Sequence, residues 1–84
     1  MEITFVVEEA GCDSCAALVR DALEPLGEVR SLEIDEAADL ATVTLAPARP
    51  LDEAEVGVAF AEASEGTGHA YRVRPGSWAS RVSA

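Results

Sequence analysis

The sequence predicts an α+β fold in a single domain, since 84 residues make one small unit. Four segments of the chain alternate apolar and polar residues, as strands with one buried face do. Two further segments repeat apolar residues every three or four positions, as amphipathic helices do. With 49% apolar residues, the chain has the composition of a protein that folds by itself.

The first half begins with a strand followed by a helix. Ile3, Phe5 and Val7 fall in one phase of an imperfect alternation, which predicts a strand with one well-buried face. The helix is predicted from one apolar stripe, formed by Cys15, Leu18, Val19, Ala22, Leu23 and Leu26. Gly27 follows this stripe and is expected to end the helix in a left-handed conformation.

A hairpin is predicted in the middle of the chain. Leu32 and Ile34 share one phase of a second strand over residues 28–35, and the sequence EAAD at 36–39 supplies a turn. The third strand is predicted from three alternating apolar residues, Ala41, Val43 and Leu45. Prolines at positions 47 and 50 stop it.

A second helix and a fourth strand complete the pattern. Asp52 and Glu55 resemble a capping box at the start of the helix. Its apolar stripe is weak and consists of Val56, Ala59, Phe60 and Ala63. The sequence GTG at 66–68 ends the helix, and residues 69–74 alternate as a strand with Tyr71 in the apolar phase.

This order of elements predicts the ferredoxin-like β-α-β-β-α-β sandwich, a four-stranded antiparallel sheet with two helices on one face. Right-handed crossovers place both helices on the same side of the sheet. The domain is expected to cover residues 1–74, and residues 75–84 form a C-terminal tail without clear periodicity. We expect this tail to be mobile unless Trp78 docks on the domain.

The charge of the chain restricts its partners. Sixteen acidic residues face six arginines and no lysine, which leaves a net charge of −10. Such a surface repels nucleic acid and anionic membranes, so a cation or a basic protein surface is the more natural partner. No segment is long enough to span a bilayer, and the N-terminal residues lack the features of a secretory signal. We therefore expect a cytoplasmic protein.

Cys12 and Cys15 are the only cysteines and lie where the first strand gives way to the first helix. In a reducing compartment such a pair is more often a metal or redox site than a structural disulfide. Two thiolates suit Cu(I), whereas structural zinc requires four protein ligands. The helix N-terminus favours the thiolate of Cys15. Nearby carboxylates oppose ionisation of the thiols but attract a cation; they belong to Glu8, Glu9 and Asp13.

These residues resemble the heavy-metal-associated domains of copper chaperones, metal-pumping ATPases and mercury-binding proteins. The similarity covers residues 2–74 and includes CDSC at 12–15, LGEVRSLEID at 26–35, ATVTLAP at 41–47 and GHA at 68–70. It implies a protein that is not an enzyme but binds Cu(I), or another soft ion such as Hg(II), through Cys12 and Cys15. It also implies transfer of the ion to a metal-transporting ATPase or metal-responsive regulator.

Three positions near the cysteines shape the expected site. Ala10 stands where the family usually has a methionine beneath the metal loop, so we expect a looser loop. The resemblance places His69 opposite the cysteines, as a candidate third ligand or a switch on metal release. Asp13 is interpreted as the helix N-cap and, secondarily, as an oxygen ligand favouring Zn(II) or Cd(II).

The function predicted from the sequence is that of a small cytoplasmic metallochaperone or free-standing Cu(I)-binding domain, either a monomer or a metal-bridged dimer. Two alternatives remain open. One is a Zn(II)- or Cd(II)-binding domain that uses Asp13 or His69 as extra ligands. The other is a redox protein that uses Cys12 and Cys15 as a dithiol.

Overall fold

The computed structural model describes residues 2–81. Its strands are β1 (Glu2–Glu8), β2 (Gly27–Asp35), β3 (Leu40–Pro47), β4 (Arg72–Val73) and β5 (Ala79–Arg81). Its α-helices are α1 (Asp13–Leu23) and α2 (Glu53–Ser64), and a 3₁₀ turn covers Glu24–Leu26. No helix within residues 2–81 has the length and apolar character needed to cross a membrane.

The strands form one antiparallel sheet in the order β2-β3-β1-β4, and β5 also pairs with β1. This arrangement confirms the predicted ferredoxin-like fold. Alternate residues of β1 and β3 are buried against one stripe of each helix. The largest fully buried side chains include Ile3, Phe5, Val19, Leu23, Val56 and Phe60. The predicted alternation and the predicted helical stripes therefore identify most of the core.

Strand β2 contains a bulge that simple alternation does not predict. Val29 is opposite Leu45 and Ser31 is opposite Thr44, so Arg30 is an extra residue in β2. Because of this insertion, Val29 and Leu32 are both packed against the core although they are three positions apart. The hairpin turn itself lies where the EAAD sequence predicts it.

The predicted left-handed cap at Gly27 is wrong. Helix α1 ends at Leu23, the 3₁₀ turn follows, and Gly27 begins β2 with an extended backbone at φ 163°. Glycine is needed there for space, because an added Cβ would lie 2.7 Å from the Cα of Pro47, its partner on β3.

The edge strand beside β1 is broken into two parts. Its first part, β4, covers only two residues, so the strand predicted over 69–74 is too long. Its second part, β5, pairs with the start of β1, for example Ser80 with Ile3. Trp78 stacks on Phe5 with ring centroids 5.3 Å apart. The tail is thus docked through Trp78 as far as the structure describes it, and residues 82–84 lie outside the described residues.

Candidate metal site at the start of helix α1

The loop between β1 and α1 turns sharply and lies close to the β2–β3 turn. Glu9 has a left-handed backbone with φ 62°. Ala10 and Gly11 follow and are buried. A Cβ added to Gly11 would lie 2.5 Å from the Cα of Asp39 and 2.9 Å from the carbonyl oxygen of Asp35. Only glycine at position 11 allows these two segments to approach so closely.

Asp39 connects the loop to the β2–β3 turn. Its backbone carbonyl accepts the N–H of Ala10 at 3.2 Å, and its side-chain Oδ1 accepts the N–H of Gly11 at 3.0 Å. Asp39 itself has φ 56°, a region that aspartate tolerates better than most residues. The loop before the cysteines is therefore held by two hydrogen bonds, in contrast to the looser loop expected from Ala10.

No local pattern in the sequence marks Asp39 as part of the site. Its only local signal is its place at the end of the EAAD turn, where aspartate is common for conformational reasons alone. Its contact with Gly11 spans 28 positions of the chain. Such a contact depends on how the hairpin lies against the loop.

Cys12 and Cys15 meet at the start of α1, where they form a disulfide with their Cα atoms 5.1 Å apart. The structure thus describes the oxidised form of the pair, and metal binding requires reduction to two thiols. Cys12 is half-buried, whereas Cys15 is 1% exposed and belongs to the core. Cys12 therefore keeps some contact with solvent although it packs against the core, whereas Cys15 lies within the core.

Cys12 caps helix α1, so the predicted N-cap role of Asp13 is wrong. The backbone of Cys12 is extended, with φ −127° and ψ 161°, as an N-cap residue requires. Its Sγ accepts the N–H of Cys15 at 3.3 Å and lies 3.5 Å from the Oγ of Ser14. Asp13 is the first residue of the helix, where its charge favours the positive end of the dipole.

His69 lies in irregular backbone before β4 and is exposed. Its ring stacks on Tyr71 with centroids 5.7 Å apart. Within residues 2–81, no three side chains of His, Cys, Asp or Glu converge to hold an ion. The oxidised form thus presents Cys12 and Cys15 without His69 or Asp13 as a third ligand. The ligand roles of His69 and Asp13 remain predictions.

Tyr71 carries a buried phenol without a hydrogen-bond partner within the described chain. The side chain is 3% exposed. The nearby Thr67 hydroxyl is engaged elsewhere, because it donates to the carbonyl of Ser64 and accepts the N–H of His69. Burial is the main cause that raises the pKa of Tyr71; the Thr67 hydroxyl opposes it, and the Asp39 carboxylate adds a smaller increase. Asp39 thus acts electrostatically on Tyr71 and also holds the loop.

The acidic residues around the cysteines are not equivalent. Glu8 lies 2.5 Å from the Nε of Arg72 and 3.7 Å from the Nε of Arg74. The hydrogen bond to Glu8 is the main cause that raises the pKa of Arg72, and the attraction between the two opposite charges raises it further. Two arginines therefore offset the charge of Glu8. Glu9 and Asp13 are the residues expected to supply negative potential at the cysteine pair.

Comparison with known proteins assigns this architecture to a family. The family model for the heavy-metal-associated domain matches residues 4–69, which include the loop, both cysteines and Asp39. The chain belongs to the heavy-metal-associated domain family. Membership of this family supports the binding and transfer of a heavy-metal ion. A search of the curated proteins gave no match.

Two solved structures share the fold of this heavy-metal-associated domain. Oxidized MerP from Ralstonia metallidurans CH34 is 18% identical, with a TM-score of 0.56 over 88% of this chain and 99% of MerP. A structure from work on crosstalk between Cu(I) and Zn(II) homeostasis is 23% identical. Its TM-score is 0.54 over 84% of this chain and 97% of its own. At these identities the likeness is one of fold, and it agrees with the sheet order described above.

Proposed function

We propose that this heavy-metal-associated domain binds one Cu(I) ion between Cys12 and Cys15 and passes it to a partner by thiolate exchange. The observation that carries the proposal is the convergence of two sulfurs at the start of α1 without a third ligand among the described residues. Two thiolates satisfy Cu(I) in a near-linear arrangement, whereas Zn(II) in a structural site requires four ligands.

The unequal burial of the two sulfurs supports ion transfer as well as binding. The buried Cys15 anchors the ion to the core, and the half-buried Cys12 leaves one side of it open to a partner. The Cys15 N–H points at the Cys12 Sγ and stabilises negative charge there. A partner thiolate can then form a three-coordinate intermediate. It replaces one cysteine, which leaves as a thiolate and regains a proton from water.

The partner and compartment follow from the same chemistry. A net charge of −10 favours a partner with a basic surface, such as a metal-transporting ATPase or a metal-responsive regulator. Only a reduced cysteine pair can bind the ion, which fits the cytoplasm. A metal-bridged dimer, in which two copies share one ion, is the alternative to the monomer, since one side of an ion at the half-buried Cys12 stays open.

An anaerobic titration of the reduced protein with Cu(I) against a calibrated chelator tests the proposal. We expect one ion per chain, and loss of affinity by orders of magnitude in Cys12→Ser and Cys15→Ser. The control is His69→Ala, which retains both thiols and should retain tight Cu(I) binding. Tighter binding of Zn(II) or Cd(II) that depends on Asp13 or His69 would contradict the copper assignment and support a divalent-metal domain.

The disulfide supports a second candidate function, that of a dithiol redox protein. In this function Cys12, the more accessible sulfur, would attack a substrate disulfide, and Cys15 would resolve the mixed disulfide. A disulfide-reductase assay separates the two functions. Turnover that depends on both cysteines, together with weak Cu(I) binding, would favour the redox protein over the metal carrier.

A further inference from the structure

An open apolar groove of about 550 Å³ follows the seam between α1 and α2. Its floor and walls include Leu18, Ala22, Pro25 and Leu26 on one side, and Ala59 and Ala63 on the other. The small side chains at the alanines leave the seam hollow. Near it, Val58 is 60% exposed and lies one helical turn before Glu62 on α2. The seam therefore offers unfilled apolar surface on a small domain.

Two carboxylates line this groove, Asp21 from α1 and Glu62 from α2. Both residues are exposed. The ion pairs found within residues 2–81 connect arginines to Glu2, Glu8 and Glu55, so none of them engages Asp21 or Glu62. The groove thus combines an apolar floor with a carboxylate on each side, and neither carboxylate forms an ion pair with an arginine within residues 2–81.

We infer that this groove docks a basic amphipathic helix of a partner protein. Apolar side chains of that helix lie between α1 and α2, while its lysines or arginines pair with Asp21 and Glu62. The stretch from Leu18 to Leu26 is about 12 Å long at the rise of a helix. It accommodates about two turns of the partner, whose anchors recur every three or four residues.

Charge excludes the other obvious occupants. A second copy of this chain would bring another Asp21 and Glu62 to the same seam, and each copy carries a net charge of −10. An anionic lipid surface is repelled for the same reason. A basic helix gains from both carboxylates, and its apolar side covers the exposed floor. Charge complementarity therefore selects the occupant.

The groove is separate from the cysteine pair. It begins at Leu18, one turn after Cys15 on the same helix, and continues away from the start of α1. A helix lying in it leaves Cys12 accessible. Docking therefore requires neither the ion nor free thiols, and the inference stands independently of the proposed copper binding. Its role would be to hold a partner beside the cysteines while they remain free to react.

The test is a ¹⁵N NMR titration of the oxidised protein with a synthetic peptide of about 18 residues, made of leucine and lysine at helical spacing. We expect shift changes at residues 18–26 and 58–63. The double variant Asp21→Asn with Glu62→Gln should weaken binding about tenfold, because two ion pairs are lost. Ala63→Gln, which fills the groove without adding charge, should also weaken it.

The matched control is Glu28→Gln with Glu33→Gln, which removes the same charge from exposed positions of β2 and should change affinity far less. Equal loss in this control, or equal binding of a scrambled peptide of the same composition, would overturn the inference by showing unspecific attraction. Shifts at the seam on dilution of the protein alone would assign the groove to a second copy and also overturn it. Peptide binding should persist in Cys12→Ser, which separates its outcome from that of the copper proposal.

Discussion

The two strand-to-helix junctions of the domain occupy equivalent places in the fold but are built from different chemistry. In the second, Asp52 caps α2 by accepting the N–H of Glu55 at 2.8 Å. In the first, Cys12 caps α1 by accepting the N–H of Cys15 at 3.3 Å. The two cap residues have nearly the same backbone conformation. A sulfur at the first junction therefore performs the task that a carboxylate performs at the second.

This difference shows how the fold makes room for a reactive pair. At the second junction the side chains stabilise local structure, since Arg49 donates a hydrogen bond of 2.6 Å to Glu55 beside the cap. The first junction is stabilised from a distance by Asp39, whose hydrogen bonds reach Ala10 and Gly11 and do not involve the cysteines. Support from a neighbouring turn leaves Cys12 and Cys15, the proposed metal ligands, available for chemistry.

The largest expected effect concerns the close approach at the first junction. Gly11→Ala should lower the free energy of unfolding by about 2–3 kcal/mol, because its Cβ would meet the backbone of Asp39. Gly57→Ala in α2 is the matched control. Its Cβ meets nothing within 4 Å, and it should raise stability by about 0.5–1 kcal/mol. Urea denaturation measures both, and equal values for the two variants would contradict the close approach.

The second-largest expected effect is the loss of stability when the N-cap of a helix is removed, measured at each of the two junctions. Asp52→Ala should cost about 1 kcal/mol of stability. Measured in reductant, Cys12→Ala should cost less, because a neutral thiol is a weak acceptor. Cys12→Ser should leave stability close to that of the parent, since the hydroxyl is itself a good cap. A cost of Cys12→Ala equal to that of Asp52→Ala would mean that the sulfur caps the helix as effectively as a carboxylate.

Removal of the buried phenol near the first junction should be favourable. Tyr71→Phe should stabilise the protein by about 1 kcal/mol, because the hydroxyl is buried without a partner in the described chain. The raised pKa of Tyr71 also predicts a pH effect. The folded protein favours the neutral phenol of Tyr71 over the ionised one. The part of the stability that depends on this preference is complete below the pKa of the unfolded chain and is lost as pH rises through the pKa of the folded protein.

Urea denaturation of the oxidised protein at several pH values checks the predicted loss of stability. The range from pH 8 to pH 12 extends about two pH units to either side of an ordinary tyrosine pKa. The disulfide form is used so that the cysteines do not titrate. We expect the parent to lose more stability than Tyr71→Phe across this range. Parallel curves would contradict the burial of the phenol.

The smallest effect should come from the exposed ion pair at the second junction. Arg49→Gln should leave the urea midpoint nearly unchanged, because the pair of Arg49 and Glu55 is exposed and screened by salt. The same measurement in high salt should abolish any residual difference. A clear loss of stability would show that the pair fixes the entry to α2 along with Asp52.

Local patterns in the sequence predict the helices and three of the strands because each follows from the spacing of apolar residues within one segment. Phe5, Val19 and Phe60 are buried as their periodicities predict. The position of Cys12 and Cys15 at the junction follows in the same way. The prediction for Gly27 is wrong because a glycine after a helix is typical of either a left-handed turn or a close contact, and local patterns do not reveal that Pro47 lies next to it.

The sequence by itself determined the order of elements, the fold and the place of the cysteine pair, because these depend on short-range periodicity and on two residues three positions apart. Only the tertiary structure decided that Asp39 holds Gly11, that β5 extends the sheet along β1, and that the helices leave a groove between them. Each of these contacts joins segments distant in the chain. These contacts form only when the helices pack on the sheet and bring the distant segments together, and local sequence patterns do not encode that packing.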